Sequence, residues 1–221
     1  INYYASEVTD TTKASIIIMD KNKSVIKTFS TDSKDNKLDI VKGMNQFNWN
    51  LQYPPAETVD GMILWNGNPG GITAPPGEYY YRVKVGNDSA ENNFTVVADP
   101  NYKCSQQDYE AQFEFLQKVM GKFNEVQKGI KNIRDLRTQI TGFVAKQGKD
   151  CPKDVKDMAD SITKRLTGIE ETLYQTKSKS GQDVLNYPIR LNDKLSGVFD
   201  AANSGNMAPS KQSKDVFAVL T

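Results

Sequence analysis

The hydrophobic pattern of this chain changes its period once, near the Asp99-Pro100 step, and this change restricts the fold more than any other feature. Before it, short apolar segments alternate with turn residues, as in stacked β-strands. After it, apolar residues recur every three or four positions, as in packed α-helices. We therefore predict an α+β protein made of separate domains. An antiparallel β-sandwich of immunoglobulin or fibronectin III type covers residues 1–100, and an all-α antiparallel helical hairpin or bundle covers residues 101–221.

The strand predictions rest on β-branched and aromatic residues that alternate with polar ones between turn signals. Phe47, Trp49 and Leu51, for example, share one face of their segment, and asparagines occupy the other. Three prolines and five glycines mark residues 61–77 as an edge strand that leads into a long loop,. The remaining predicted strands are residues 14–18, 24–29, 37–41, 46–51, 78–85 and 93–97.

The helix predictions rest on apolar spacing and on end signals. Ser105 is an expected N-cap and Gly148 an expected stop, so the first helix covers about forty residues,. A second helix starts at Pro152 and ends before residues 177–181. Two shorter helices follow, over residues 188–203 and from Pro209 onwards.

The length of the first helix decides whether the two cysteines can form a disulfide. A continuous helix would separate Cys104 from Cys151 by about 60 Å at 1.5 Å per residue,. A disulfide needs Cα atoms within about 7 Å, so we expect two free thiols. A disulfide is the alternative if the helix breaks at Gly121 or Gly129 and the chain folds back.

The composition excludes several classes of chemistry. Histidine is absent, which removes Ser-His-Asp and Cys-His catalysis and histidine-containing zinc sites,. The spaced carboxylates Asp32, Asp35 and Asp39 lack the glycine and distal glutamate of an EF-hand loop,. We therefore predict no catalytic residues, no metal site and no cofactor, and hence that the chain is not an enzyme.

Charge and hydropathy exclude two kinds of partner. The 28 basic and 27 acidic side chains nearly balance, so no nucleic-acid ligand is expected,. No run of 18 apolar residues occurs, so no membrane insertion is expected,.

Two segments carry a resemblance to a known domain. Residues 43–50, GMNQFNWN, and residues 74–83, APPGEYYYRV, resemble the pattern G-x-N-x-F-x-W … P-x-G-x-Y-x-x-R/K-V. That pattern is typical of the immunoglobulin-like domain of the flagellar hook-capping protein, which also occurs at the ends of many exported bacterial proteins. The resemblance implies a fold and, by itself, no activity.

The resemblance continues into the second half. The Asp-Pro step and residues 108–113, 133–137 and 185–195 are similar to the C-terminal region of secreted bacterial proteins with a sortilin-like, BNR-repeat β-propeller, often labelled glycosyl hydrolases. The chain departs from that pattern at Asn101, where the family usually has a basic residue, and in the long loop around Trp65. The resemblance implies an upstream propeller in the same polypeptide, which would hold any catalytic role, and an extracytoplasmic location.

The best candidate for a binding surface is the apolar run Met62, Ile63, Leu64 and Trp65. Exposed aromatic residues on a Gly/Pro-rich loop are a common way to contact a ligand. The competing interpretation is an edge strand whose side chains cap the sandwich or pack on the helices.

Three functions follow from these observations. The first is a non-catalytic accessory region (a spacer, docking element or stalk) of a larger exported multidomain protein. The alternative is a module that binds a carbohydrate or protein ligand through the Trp65 loop. The third is self-association through the helices. A monomer is expected, because a complementary second helix follows the first after a short loop.

Overall fold

The structure is a computed structural model that describes residues 1–221. It contains six strands in two antiparallel sheets and four α-helices, an α+β mixture. The chain divides into two compact units, and each unit is discontinuous in sequence. The strand-rich unit comprises Ile1–Pro54 and Gly71–Phe113, and the helical unit comprises Pro55–Gly70 and Glu114–Thr221.

These units differ from a division of the chain at residue 100 in two segments. Residues 55–70 belong with the helices, whereas residues 101–113 belong with the strands. In the strand-rich unit, the Gln106 side chain donates a hydrogen bond to the Pro76 carbonyl, and the Phe113 ring lies 4.8 Å from that of Tyr53. The first turns of the long helix therefore belong to the unit of the strands.

The larger sheet has the strand order β3-β2-β5-β6, with every neighbouring pair antiparallel. Its strands are β2 (Ala14–Met19), β3 (Val25–Ser30), β5 (Gly77–Val85) and β6 (Asp88–Val96). All four coincide with predicted strands, although β6 begins five residues before its predicted start. Gly86 and Asn87 form the two-residue turn between β5 and β6, with Gly86 at φ +57°,.

The smaller sheet pairs β1 (Asn2–Ala5) with β4 (Gly43–Gln46). The sequence analysis predicts no strand over residues 2–5, and β4 lies between the two strands predicted over residues 37–41 and 46–51. The predictions of strands over residues 37–41 and 46–51 are wrong. The Asn45 side chain bonds the N–H and the carbonyl of Val41, which closes a turn,. Leu51 has φ +58°, outside the extended region, and the Trp49 indole donates to the Gln52 carbonyl,. Local polar bonds have thus replaced a strand ladder.

A hydrophobic cluster joins the two sheets of this unit. Its buried members include Ile16, Ile18, Tyr79 and Val83, and Trp49 is among the partly buried residues packed against it. The Tyr79 hydroxyl donates a 2.7 Å hydrogen bond to the Pro75 carbonyl, and burial raises the pKa of this phenol. Ile1, Tyr3 and Phe47 also pack against the cluster. The period-two alternation of β5 therefore has the expected consequence, with aromatic side chains directed inward.

The helices are α1 (Gln106–Gln147), α2 (Lys153–Leu173), α3 (Leu191–Asn203) and α4 (Lys211–Leu220), with short 3₁₀ turns at Gly148–Asp150 and Gly181–Leu185. The expected ends of α1 are confirmed. The Ser105 hydroxyl accepts the Asp108 N–H while the Asp108 carboxylate accepts the Ser105 N–H, which forms a capping box,. Gly148 has φ +56°, the left-handed conformation that ends helices,. The helix is continuous, and both cysteines are free thiols.

The interior of the helical unit combines apolar and charged side chains. Phe123 and Ile130 of α1 and Leu195 of α3 are fully buried. Glu170 of α2 is only 2% exposed and receives 2.7 Å and 2.8 Å bonds from the guanidinium groups of Arg134 and Arg137 of α1. A buried carboxylate requires such partners, because its desolvation is otherwise costly. This ion pair fixes the register of α2 on α1.

Replacing Glu170 by glutamine should destabilise the fold. Glu170→Gln removes the charge and one acceptor while keeping the shape, so one guanidinium faces an amide N–H₂. We expect a loss of about 2 kcal/mol in the free energy of unfolding, measured by urea denaturation. Glu171→Gln, at the adjacent exposed position, is the matched control and should change stability by less than about 0.5 kcal/mol,. Equal effects of the two changes would contradict the assigned role of Glu170.

Candidate functional site

The four predicted binding residues lie in the segment Pro55–Gly70, which forms a loop and contains no strand. The prediction of an edge strand beginning at Gly61 is therefore wrong. Met62, Ile63 and Leu64 are partly buried, whereas the Trp65 side chain is 51% exposed. The structure thus brings the four residues together on one loop and leaves mainly the indole of Trp65 open to solvent.

A buried carboxylate on α3 holds this loop by its backbone. Asp193 is 5% exposed and accepts the Trp65 N–H at 2.8 Å and the Asn66 N–H at 2.9 Å, one on each carboxylate oxygen. The Asn66 side-chain amide donates to the Asp193 carbonyl and to its carboxylate, both at 3.0 Å. Hydrogen bonds to an ionised acceptor are stronger than neutral ones. Asp193 also lies in the first turn of α3, where the helix dipole favours a negative charge,.

Further bonds fix the loop on both sides of Trp65. The Ile63 N–H donates to the Tyr174 hydroxyl oxygen at 3.0 Å, and the Ser196 hydroxyl donates to the Gly67 carbonyl at 2.7 Å. A Cβ at Gly197 would lie 3.0 Å from the Asn66 amide nitrogen, so glycine permits this close approach,. Side chains of α3 and of Tyr174, the residue after α2, therefore bind the backbone of the loop at four residues between 63 and 67.

The start of the loop is held by α1. The Asn124 side chain accepts the Glu57 N–H at 2.8 Å, and the Gln127 amide donates to the Glu57 carbonyl at 3.4 Å. Gln127 and Asn192 are fully buried and bonded to each other, and Asn192 also donates to the Met62 sulfur. A network of buried polar side chains thus connects the loop with two helices.

Sequence reasoning missed this network, although a signal for it exists. Asn192 and Ser196 share a helix face with Leu195 and Phe199, and Gln127 lies between Phe123 and Ile130 on the apolar stripe of α1. A polar residue at an apolar position either costs stability or has a buried partner. The partner is on a loop distant in sequence, so the pattern alone could not identify it.

The space beside Trp65 is too small for an organic ligand. A pocket lined by Leu64, Trp65, Tyr174 and Tyr187 offers about 10 Å³, the room of a single water molecule,. The geometry therefore supports contact through an exposed surface and does not provide a cavity.

A second exposed surface lies on the helices, far along α1 from its start. Five large apolar side chains are between 39% and 66% exposed there. They are Leu136 and Phe143 of α1, and Met158, Ile162 and Ile169 of α2. Large exposed apolar patches commonly mark interaction sites, so these side chains form a candidate contact surface.

The structure contains no group of three or more His, Cys, Asp or Glu side chains arranged to hold a metal ion. None of its helices combines the length and the apolar character that crossing a lipid bilayer requires. No protein-family model, curated protein or solved structure matches the chain.

Changing the carboxylate that holds the loop should loosen it. In Asp193→Asn, an amide N–H₂ replaces one of the two oxygens that accept the Trp65 and Asn66 N–H groups. We expect a loss of about 1–3 kcal/mol in the free energy of unfolding and faster hydrogen exchange of the Trp65 and Asn66 amides. Asp200→Asn, an exposed carboxylate on the same helix, is the control and should leave both amides protected. Unchanged exchange in Asp193→Asn would show that the loop is held by other bonds.

Proposed function

We propose that this chain is a non-catalytic accessory region of a larger exported bacterial protein, and that it docks a protein partner through the Trp65 loop. The observation that carries the proposal is the attachment of this loop to α3 through Asp193. A loop whose backbone is already ordered loses little conformational entropy when a partner binds. The exposed indole of Trp65 is a contact residue of the type that dominates binding energy at protein interfaces,.

The hydrogen bonds of the loop favour a protein partner over a glycan. Side chains of α3 and of Tyr174 occupy the N–H groups of Ile63, Trp65 and Asn66 and the carbonyl of Gly67. The loop therefore offers few free polar groups for sugar hydroxyls, while its apolar residues suit a desolvated protein contact. A glycan ligand is the alternative outcome.

The proposal includes a finer description of each unit. The strand-rich unit is an immunoglobulin-like sandwich, a description supported by the cluster in which residues of both sheets pack together,. The helical unit contains an antiparallel hairpin of α1 and α2, supported by the bonds of Arg134 to Glu170 and of Arg137 to Thr167. Both units would extend an extracytoplasmic protein with an upstream β-propeller in the same polypeptide, which the coding sequence upstream of Ile1 tests directly.

Cross-linking from the position of Trp65 tests the docking surface. A benzophenone amino acid replaces Trp65 in one variant and Leu185, which is 81% exposed in the same unit, in the control. Both are produced as the complete protein in the exporting cell. We expect a discrete protein adduct from position 65 and none from position 185, because only the Trp65 loop is proposed to form the interface.

Two results would contradict this docking surface. The first is the same adduct from both positions, or none from either. The second is a loss of 3 kcal/mol or more in the free energy of unfolding of Trp65→Ala, the cost of about 3–5 kcal/mol that truncation of a core aromatic residue carries. Retention of the wild-type chain, but not of Trp65→Ala, on an array of glycans would assign a carbohydrate ligand instead.

A second candidate function is self-association through the exposed apolar side chains of α1 and α2. At 100° per residue, Leu136 and Phe143 share one face of α1, and Met158 and Ile169 share one face of α2,. In the proposed hairpin these two faces lie on the same side. Two copies of α2 can pair antiparallel so that Met158 of one copy lies opposite Ile162 of the other. The twofold axis of this pairing passes residue 160. The midpoint of residues 154 and 165 lies within one residue of that axis. Asp154 of one copy therefore lies opposite Arg165 of the other in the same pairing that brings the apolar residues together,.

Light scattering distinguishes self-association from the monomer predicted by the sequence. The expected mass of the wild-type chain rises with concentration, whereas Phe143→Lys combined with Met158→Lys keeps the monomer mass, because charge at these exposed positions prevents burial,. Leu185→Lys, at another exposed apolar position, is the control and should behave like the wild type. A wild-type chain with the monomer mass at all concentrations would remove this candidate.

A further inference from the structure

An open cleft in the strand-rich unit differs from the loop surface in place and chemistry. It has a volume of about 800 Å³, within the range of about 300–1,000 Å³ that is typical of ligand sites,. It lies between β1 and the hairpin formed by β5 and β6. No part of the Trp65 loop lines it, so its occupancy does not depend on the function proposed above.

The residues that line the cleft distinguish its floor from its wall. From β5 come only the alternate residues Tyr81, Val83 and Val85, which share one face of the strand,. From β1 come all four consecutive residues, Asn2–Ala5. Alternate residues indicate a strand face and consecutive residues indicate a strand edge. The floor is therefore a largely apolar sheet face. One wall is the edge of β1, and the edge strand β6, which contributes the consecutive residues Asp88–Asn92, forms another.

This edge of β1 has unpaired backbone groups. The Ile1 N–H and the Phe47 carbonyl are bonded, as are the Phe47 N–H and the Ile1 carbonyl, each at 2.8 Å. Bonded and non-bonded pairs alternate along an antiparallel ladder, and in this register Asn2 and Tyr4 stand in non-bonded pairs with β4. Their N–H and C=O groups point away from β4, which is the only strand that pairs with β1.

The charges around the cleft are of one sign. Glu7, Asp88 and Glu91 line it, and no lysine or arginine does. Glu91 is paired with Lys23 and Arg82, so the carboxylates of Glu7 and Asp88 carry the remaining negative charge. An occupant with basic side chains would complement this rim.

We propose that the cleft binds an extended peptide with alternating apolar and basic side chains, which adds a third strand to the sheet of β1 and β4. The peptide backbone pairs with the free groups of Asn2 and Tyr4, as in other cases of strand addition. Its apolar side chains pack on Tyr81 and Val85, the partly exposed residues of the floor, and its basic side chains face Glu7 and Asp88. The unpaired edge supplies affinity, and the acidic rim selects the charge of the peptide.

Titration of defined peptides into the complete chain tests the proposal. The probe is the peptide Lys-Val-Lys-Val-Lys-Val-Lys, and the controls are the same peptide with glutamate in place of lysine and a version with every backbone nitrogen methylated. We expect binding of the lysine peptide alone, with slower hydrogen exchange of the Asn2 and Tyr4 amides. Methylation removes every backbone donor of the peptide, so it should abolish binding if strand pairing provides the affinity.

Variants of the chain locate the site. Glu7→Gln combined with Asp88→Asn should weaken binding about fivefold, because two exposed charge pairs are lost. Asp35→Asn combined with Asp39→Asn removes two exposed carboxylates outside the cleft and should leave binding unchanged. Ala90→Arg introduces a bulky cation at an exposed position in the cleft and should reduce binding more than tenfold.

Three results would overturn the proposal. They are absence of binding by the lysine peptide, equal binding of the glutamate or N-methylated peptide, and equal loss of affinity in the two double variants. Melting curves establish that each variant is folded. If Ala90→Arg fails to fold, the double variants and the N-methylated peptide still decide the question.

Discussion

The helical unit depends on a buried carboxylate whose partners are backbone N–H groups and an asparagine side chain. An ionised side chain is costly to bury unless hydrogen bonds replace its hydration. Asp193 receives these bonds from Trp65 and Asn66, residues that are more than 120 positions away in sequence. The loop and the helix therefore stabilise each other, because each supplies the polar groups that the other would leave unpaired. This mutual requirement explains why residues 55–70 form part of the helical unit.

A similar exchange of polar groups occurs between α1 and α2. Glu170 is buried and is bound by Arg134 and Arg137, whose guanidinium groups remain partly exposed. Removing one partner of such a buried pair leaves the other uncompensated, so each side chain depends on the other. The helical unit thus combines an apolar interior with a few polar contacts that define the position of each element.

The surfaces that remain open are of three kinds, and they differ in chemistry. The Trp65 loop has an ordered backbone and an exposed indole, so it suits a desolvated contact. The second surface consists of the five exposed large apolar side chains of α1 and α2. The cleft beside β1 has an apolar floor, unpaired backbone groups and an acidic rim. The acidic rim of the cleft favours a basic occupant, whereas the other two surfaces favour apolar contacts,.

Local signals in the sequence determined where several elements begin or end and which face of a strand is buried. The capping box at Ser105, the stop at Gly148 and the alternation in β5 are all readable from neighbouring residues, and they predicted those elements. The same reasoning was wrong for residues 46–51, where short-range side-chain bonds and the positive φ of Leu51 prevent a strand despite a strong alternation.

Only the tertiary structure decided the partners of the polar residues. Asp193 and Asn192 stand in an otherwise amphipathic helix, and their periodicity gives no indication of a loop more than a hundred residues earlier. The same holds for the free edge of β1, because an unpaired strand edge is defined by which strands meet and not by the residues of the strand itself,. Periodicity specifies which face of an element is buried. Contacts between distant segments specify what buries it, and these depend on how the chain folds in three dimensions.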